Sequence, residues 1–441
     1  MRISMKRVIG TVIALTALCG LAVAVPARAG AAAATLYVDR TNPSCSDSGS
    51  GTSTVPYCTI GKGASVAVAG QTVEVVKASV YSEQVTPAHS GTSGSPIVFK
   101  ADTTGVRVTG HTHGFTISSR SYVTVEGFTV KGTSGAGIYV SSSSNITISG
   151  NVAKDAGMPA LNKTGNGILL TGTTSSVVSN NQTFSNTNHG ISLIAGSTGN
   201  HVSGNTSFSN ARGYQRAAAG IDIESPNNTV DRNITYSNED SGIQLTNGAS
   251  GCVLVDNRSY SNGDHGIDVL NSGSAVITSN SVYKNVTAGI NVEGTSSGAS
   301  IANNIMVDNG ISSPRTTGNL RVDANSKSGT TADYDVFFLH SGTEQIVWGT
   351  SFFTSLSSFQ AAVHQEANGL QLDPKWANAS SGDLNLLAGS PAIDSAKSGA
   401  SGETLTDAVG KPRVDDPNTT NSGSGTRLYD DRGALEYQPP A

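Results

Sequence analysis

A tetrad of Gly, Ile, any residue and an apolar residue recurs along the middle of the chain. It begins at Gly137, Gly167, Gly190, Gly220, Gly242, Gly266 and Gly289, at intervals of 30, 23, 30, 22, 24 and 23 residues. Between 13 and 15 residues after each of these glycines stands an Asn: Asn151, Asn181, Asn205, Asn233, Asn257, Asn280 and Asn304. Phe184, Phe208, Tyr236, Tyr260 or Tyr283 follows three residues later, and a second Asn (Asn186, Asn210, Asn238, Asn262, Asn285) two beyond that. Asn309, behind Val307, continues the series. Each repeat reads as strand, turn, strand, turn and short strand, with Val, Ile and Thr in the strands. No single repeat can bury its apolar face alone, but stacked repeats share one core. The pattern predicts an all-β parallel solenoid with three strands per coil. Its asparagines should form hydrogen-bonded ladders at the turns and its aromatics a column inside.

The two ends read differently. An amphipathic stretch from Ile60 to Ala69 predicts a helix closing the first coil and hiding its open edge. A second helix, around Leu356 to Glu366, is expected to close the other end. Residues 1–29 have the form of a signal peptide: Arg2, Lys6 and Arg7, an apolar run from Val8 to Val25, then Ala27-Arg28-Ala29. The expected organisation is a signal peptide at 1–29, a catalytic β-helix at 30–330, and the solenoid end with a capping module at 331–441. The mature chain should be secreted, monomeric and free of a membrane anchor.

Composition narrows the function. Charged residues make up 13% and aromatics 5%, with 51 Gly, no heptads and no Gly period of three, which excludes long helical bundles and collagen. Removing residues 1–29 takes away four basic residues and no acid, so net charge goes from −5 to −9. No basic stripe is left to displace counterions, and nucleic acid is excluded as a partner. Cys45 and Cys58 flank a Gly/Ser-rich loop and suit a disulfide in an oxidising compartment. Cys252, in the run Cys252-Val253-Leu254-Val255, reads as a buried, inert thiol.

Strand alternation sends the tetrad's Ile inward and the next residue outward. The outward column is Tyr139, Leu169, Ser192, Asp222, Gln244, Asp268 and Asn291, flanked by Glu224, Thr246, Leu270 and Glu293. It turns polar and acidic from Ser192 onward. Asp240 and Asp264 share one repeat position and should stack a strand spacing apart, with Asp268 on the second coil. Carboxylates packed this way repel unless a cation or proton lies between them, and Ca2+ is the natural partner. The alternative is that they are turn aspartates leading into each strand. Longer intervals supply loops beside this face. One carries Arg212, Tyr214 and Arg216, suited to pairing with a sugar carboxylate and stacking on a sugar ring. The others carry Lys163 and Arg315.

Over roughly residues 35–330 the chain resembles the right-handed parallel β-helix superfamily, whose secreted members include pectate lyases. Thr35-Leu36-Tyr37-Val38-Asp39 followed by the Cys pair is similar to the start of such proteins. Leu372-Asp373-Pro374, Gly389-Ser390-Pro391-Ala392-Ile393-Asp394 and Asp431-Arg432-Gly433-Ala434-Leu435-Glu436-Tyr437 are similar to a C-terminal module found behind bacterial β-helices. Asp264-His265-Gly266-Ile267-Asp268, with Asp240 one coil earlier, resembles the calcium-binding run of polysaccharide lyase family nine, with His265 in place of one Asp. The family's basic lysine has no counterpart in Gly289-Ile290-Asn291-Val292-Glu293-Gly294. The resemblance implies a lyase acting on an extracellular acidic, pectate-like polysaccharide by Ca2+-assisted β-elimination. In that reading Asp240, Asp264 and Asp268 hold the ion, with Asp222 a possible fourth ligand. His265, His189 or Arg216 takes the proton, and Arg212, Tyr214, Gln244, Asn291 and Glu293 bind substrate. The alternatives are a β-helix glycoside hydrolase using Asp222 and Asp268, a C5-epimerase, or a non-catalytic carbohydrate-binding or adhesion protein.

Overall fold

Alternation of β-branched and polar residues gives three short strands per coil, and successive coils stack them in register. The computed structural model describes residues 35–157, 165–211 and 218–440. The expected signal segment lies outside the described residues. Three sheets of 12, 11 and 11 strands run the length of a right-handed solenoid. In the third sheet Ile138, Ile168, Ile191, Ile221, Ile243, Ile267, Ile290, Leu320 and Ile346 pair one above the next. All are fully buried, each contributing about 1.5–3 kcal/mol of burial.

The corners are held by asparagine. Asn205 shows the pattern: its backbone N–H and its Nδ2 both donate to Asn233 Oδ1 (2.9 and 3.0 Å), and Nδ2 also donates to the Val178 carbonyl (2.8 Å). Its own Oδ1 accepts from the backbone and side chain of Asn181 (2.9 and 3.0 Å). The chain of such bonds runs from Asn151 to Asn304, and a second runs from Asn186 to Asn309 and on to Asn319. The tetrad glycines make room for this packing: a Cβ on Gly190 would lie 2.0 Å from Ser207 Oγ.

The aromatics stack, but outside the solenoid. Centroids of Phe184, Phe208, Tyr236 and Tyr260 are 4.8, 4.9 and 5.1 Å apart, with planes within 12°. The inward positions belong instead to Thr183, Ser207, Thr235 and Ser259, whose hydroxyls bond in pairs between coils (2.9 and 3.0 Å). The reason is parity. The aromatic follows an inward Asn by three residues, an odd number, so period-two alternation turns it to the opposite face.

Helix α1 (Ile60–Val66) closes the first coil, capped by Thr59 and by Glu83, which accepts the Ile60 and Gly61 N–H groups. It stops three residues short of the expected Ala69 because Ala67 turns extended. Helix α2 (Leu356–Val363) ends at His364, which adopts the left-handed conformation. Its Phe359 packs on Trp348 and Phe353, 5.5 and 5.2 Å away. The Cys45–Cys58 disulfide forms and Cys252 is buried.

Beyond α2 the chain first rejoins the last coil, where Leu370 bridges Val336 in parallel and the Glu366 N–H donates to the Ala332 carbonyl (2.8 Å). It then runs back along the outside of the solenoid. Trp376 meets Tyr283 edge-on at 5.8 Å, and the Ala434 N–H donates to Ser281 Oγ (3.0 Å). Further back, Arg232 Nη2 donates to Thr406 Oγ1 (3.0 Å), and the buried Arg413 bridges Asp256 (3.4 Å) and Glu436 (2.9 Å). The expected cap is therefore divided: α2 plugs the end, and the remainder is a strap.

The first asparagine ladder terminates on an acid pair. Asp335 Oδ1 accepts from the backbone and side chain of Asn304 (2.6 and 2.9 Å), and Glu366 Oε2 accepts the Asp335 N–H (3.1 Å). Burial pushes both carboxyls up, Asp335 to about 6 and Glu366 further because it faces the charge of Asp335. Because the fold binds protons on this pair more tightly than the unfolded chain does, stability falls as pH rises from the ordinary carboxylate range through about 6 for Asp335 and beyond it for Glu366. Glu366→Gln removes one of the two titrating groups. It is expected to raise Tm at pH 8 relative to wild type and to flatten the fall between pH 5 and 8. An unchanged pH slope in calorimetry would refute the coupling of this pair to stability. Asn205→Ala strands the Asn181 N–H and the Val178 carbonyl and should cost about 2–4 kcal/mol in urea unfolding. Asn385→Ala, on the exposed surface, should stay within about 0.5 kcal/mol.

Candidate active site

The outward column of the third sheet forms the floor of the site. Register places Leu169, Ser192, Asp222, Gln244, Asp268, Asn291 and Arg321 on successive strands. Beside it runs the column two residues before each tetrad glycine, where the N–H groups of Asp240, Asp264 and Thr287 donate to the carbonyls of Ala218, Asp240 and Asp264. These columns gather two clusters.

The first cluster holds Ser192, Asp222 and His189. Ser192 Oγ donates to Asp222 Oδ2 (3.0 Å), and His189 Nε2 lies 3.8 Å from the same oxygen. The Ala219 N–H donates to His189 Nδ1 (3.0 Å), so the ring's proton sits on Nε2, facing Asp222.

The second cluster is larger, and its hydrogen bonds fix every proton. Arg321 Nη1 donates to Asn291 Oδ1 (2.6 Å), which sets the amide's orientation. Asn291 Nδ2 therefore donates to Asp268 Oδ1 (2.7 Å) and to His265 Nε2 (3.2 Å). At the other side of the ring the Thr287 hydroxyl donates to Asp264 Oδ1 (2.5 Å), leaving its oxygen to accept from His265 Nδ1 (2.7 Å). His265 thus carries its proton on Nδ1 and presents the Nε2 lone pair to the floor. Arg315 reaches in to Asp264 Oδ1 (2.6 Å), Arg321 Nη1 also binds Glu293 (2.6 Å), and Gln244 donates to Asp268 Oδ2 (3.3 Å). His265 and Asp268 are each only 4% exposed, so charges here act through a poorly screened medium.

The carboxyls divide by environment. Burial and the neighbouring Asp264 push Asp240 up to about 6. Burial also opposes the charge on Asp264, but His265, the Thr287 hydroxyl and Arg315 outweigh it and hold Asp264 below its ordinary range. Burial raises Asp268.

Among the described residues, the trio that brings metal-ligating atoms within 4.8 Å of one another is His265, Asp268 and Glu293. Asp240, Asp264 and Asp222 do not join it, and Asp222 lies two strand spacings from Asp268, roughly 9.6 Å. Calcium takes 6–8 oxygen ligands. The trio offers a nitrogen, and its carboxylates are committed to Asn291, Gln244 and Arg321, while Asp264 is committed to Arg315 and Thr287. This donor set does not fit the expected ion.

Arg212, Tyr214, Arg216 and Lys163 lie outside the described residues. The structure brings together His265, Asp264, Asp268, Gln244, Asn291 and Glu293 from the sequence-predicted set and leaves His189 with Asp222 in the other cluster. Sequence reasoning missed Thr287, Arg321 and the pairing of Arg315. Thr287 stands at the same offset before its tetrad as Asp264, and Arg321 occupies the outward place of a degenerate tetrad, Asn319-Leu320-Arg321-Val322. Both offsets were readable.

The sequence matches the right-handed β-helix region family over residues 47–207 and 206–326. No curated protein sequence matches it significantly. Among solved structures it is similar to XylC in complex with xylose, at 12% identity and TM-score 0.60, over 92% of this chain and 99% of that one. It is also similar to pectate lyase Pel9A, at 17% identity and TM-score 0.52, over 92% and 98%. Similarity to the Dettilon tailspike protein (16% identity, TM-score 0.50) spans 63% of this chain and 57% of that one. At these identities the likeness is one of fold. With the family match covering most of the solenoid, and the coil stacking seen directly, the chain belongs to the right-handed β-helix family.

Proposed function

We propose that this protein is a secreted polysaccharide lyase that cleaves a uronic-acid polymer by β-elimination, with His265 as the base. The observation that carries this reading is the relay from Asp264 through Thr287 to His265, which puts the ring proton on Nδ1 and leaves the Nε2 lone pair to take a proton when substrate displaces the Asn291 amide from it. Nε2 takes the C5 proton next to the uronate carboxylate. The electron pair passes into that carboxylate, then forms the C4–C5 double bond as the C4–O bond breaks, and the departing oxygen takes up a proton. Asp264 stabilises the imidazolium that forms, through the Thr287 hydroxyl. The fold likeness to a pectate lyase, Pel9A, supports this reading.

A hydrolase is favoured by one observation, the high Asp240 beside the low Asp264, a contrast typical of acid–base pairs. Those two carboxyls are in contact, however, whereas glycoside hydrolysis needs about 5–9.5 Å between them.

Incubation with polygalacturonate and related polyuronates should produce the ultraviolet absorbance of a 4,5-unsaturated uronyl end. His265→Ala should lower the rate roughly 10²–10⁴-fold. New reducing ends without absorbance would give the hydrolase reading the field. In the resting protein, imidazole ¹⁵N shifts should show His265 protonated on Nδ1. Thr287→Val should weaken that preference, which Asn291 and the Ala288 carbonyl (3.3 Å from Nδ1) still favour, and reduce kcat about tenfold with KM little changed, and a proton found on Nε2 in the wild type would remove the basis for the assignment.

A further inference from the structure

The carboxylate floor is balanced by cations of the chain itself. Arg315 spends one Nη2 contact on Asp264, and Arg321 makes both of its contacts, to Asn291 and Glu293, through Nη1. Among the described residues the Nε and Nη2 groups of Arg321 and the Nε and Nη1 groups of Arg315 make no further hydrogen bond, and the two side chains keep 19% and 29% of their surface exposed. Each guanidinium stands one residue removed from the same imidazole. Arg315 binds Asp264, which lies 3.5 Å from His265 Nε2, and Arg321 binds Asn291, which donates to Nε2.

A guanidinium offers a planar fork that matches a carboxylate in two parallel hydrogen bonds. Two such forks beside a proton acceptor form a seat for an anionic sugar whose acidic C–H faces Nε2. The carboxylate of a uronate gathers charge as the C5 proton leaves, and a fixed cation against it stabilises the transition state more than the ground state. Calcium ordinarily supplies that charge in an oxygen-lined site. Here the carboxylates of Asp264, Asp268 and Glu293 are already bound to arginine, threonine and amide groups.

We infer that Arg315 and Arg321 form a metal-free clamp for the substrate carboxylate, selecting uronate over neutral sugars and doing the electrostatic work that an ion would otherwise do at this site. This rests on the lyase reading for its chemistry but not for its binding, so the two are tested apart.

Ca2+ binding to the mature protein and to Asp264→Asn is measured calorimetrically. The binding of short galacturonate, mannuronate, guluronate and glucuronate oligomers and of neutral xylo-oligomers is measured in EDTA. The expected result is uronate binding in EDTA, no Ca2+ binding that depends on Asp264, and affinity about 10–100-fold weaker in Arg321→Met and in Arg315→Met. Arg321→Lys should recover part of the loss, and circular dichroism checks that each variant folds. Uronate binding without an unsaturated product would leave the clamp standing and remove the lyase. A Ca2+ site lost in Asp264→Asn, uronate binding that needs Ca2+, equal affinity for neutral oligomers, or no binding of any uronate would each overturn the clamp.

Discussion

From Asn151 onward the coils of this protein depend on side-chain amides doing at the corners what strand pairing does on the faces. Where the backbone turns, its N–H and C=O groups have no strand partner and no water, and leaving them unpaired is costly. An asparagine has both a donor and an acceptor on a short stem, so one residue type repeated at one position satisfies its own coil and the next. The logic is visible where it ends. Asp335 terminates one column as a buried carboxyl whose charged form burial opposes, whereas Gln345 accepts from Asn319 at the end of another (3.0 Å) with a neutral amide. In a third column Cys252 accepts the Asn228 N–H (3.4 Å), and burial pushes its thiol up to about 11, in keeping with an inert terminator.

The fold was largely legible because its physics is periodic. Gly-Ile-x-apolar and the two asparagine series specify three faces and two corners, and stacking does the rest. The aromatic column was assigned to the wrong side because bulk was taken as a sign of burial. The three-residue spacing from Asn181 to Phe184 already carried the opposite answer, and the interior at that short strand is filled by Thr183 and Ser207. The site was legible where it continued a column, as with Asp264, Asp268 and Asn291. It was illegible where a contact depended on a loop's path, as with Arg315, or where the repeat had decayed, as with Leu320 and Arg321. The arginines were hard to foresee for the same reason: acidic residues announce themselves by position, while Arg315 and Arg321 reach them from elsewhere in the chain.

The proton network around His265 is determined by charge at its two ends. Arg321 orients Asn291, Arg315 sits on Asp264, and between them each group has a single arrangement of donors and acceptors. Such a chain holds the imidazole in one orientation and one tautomer before anything binds. Its near-complete burial means that the solvent does not compete for those bonds.

A solenoid usually unfolds piecemeal, because each coil touches only its neighbours. The strap changes this. It touches the solenoid at Arg232, Asp256, Ser281 and Asn303, the stretch that also carries Asp240 through Asn291. Those coils cannot separate without first losing the buried Arg413 bridge, so they open as one block while the coils before them are free to open singly. Backbone amides behind the floor of the candidate site will therefore exchange with solvent together and late, and those of the first coils earlier and one by one. The strap makes the coils that carry the acidic and histidine clusters the most cooperative part of a modular protein.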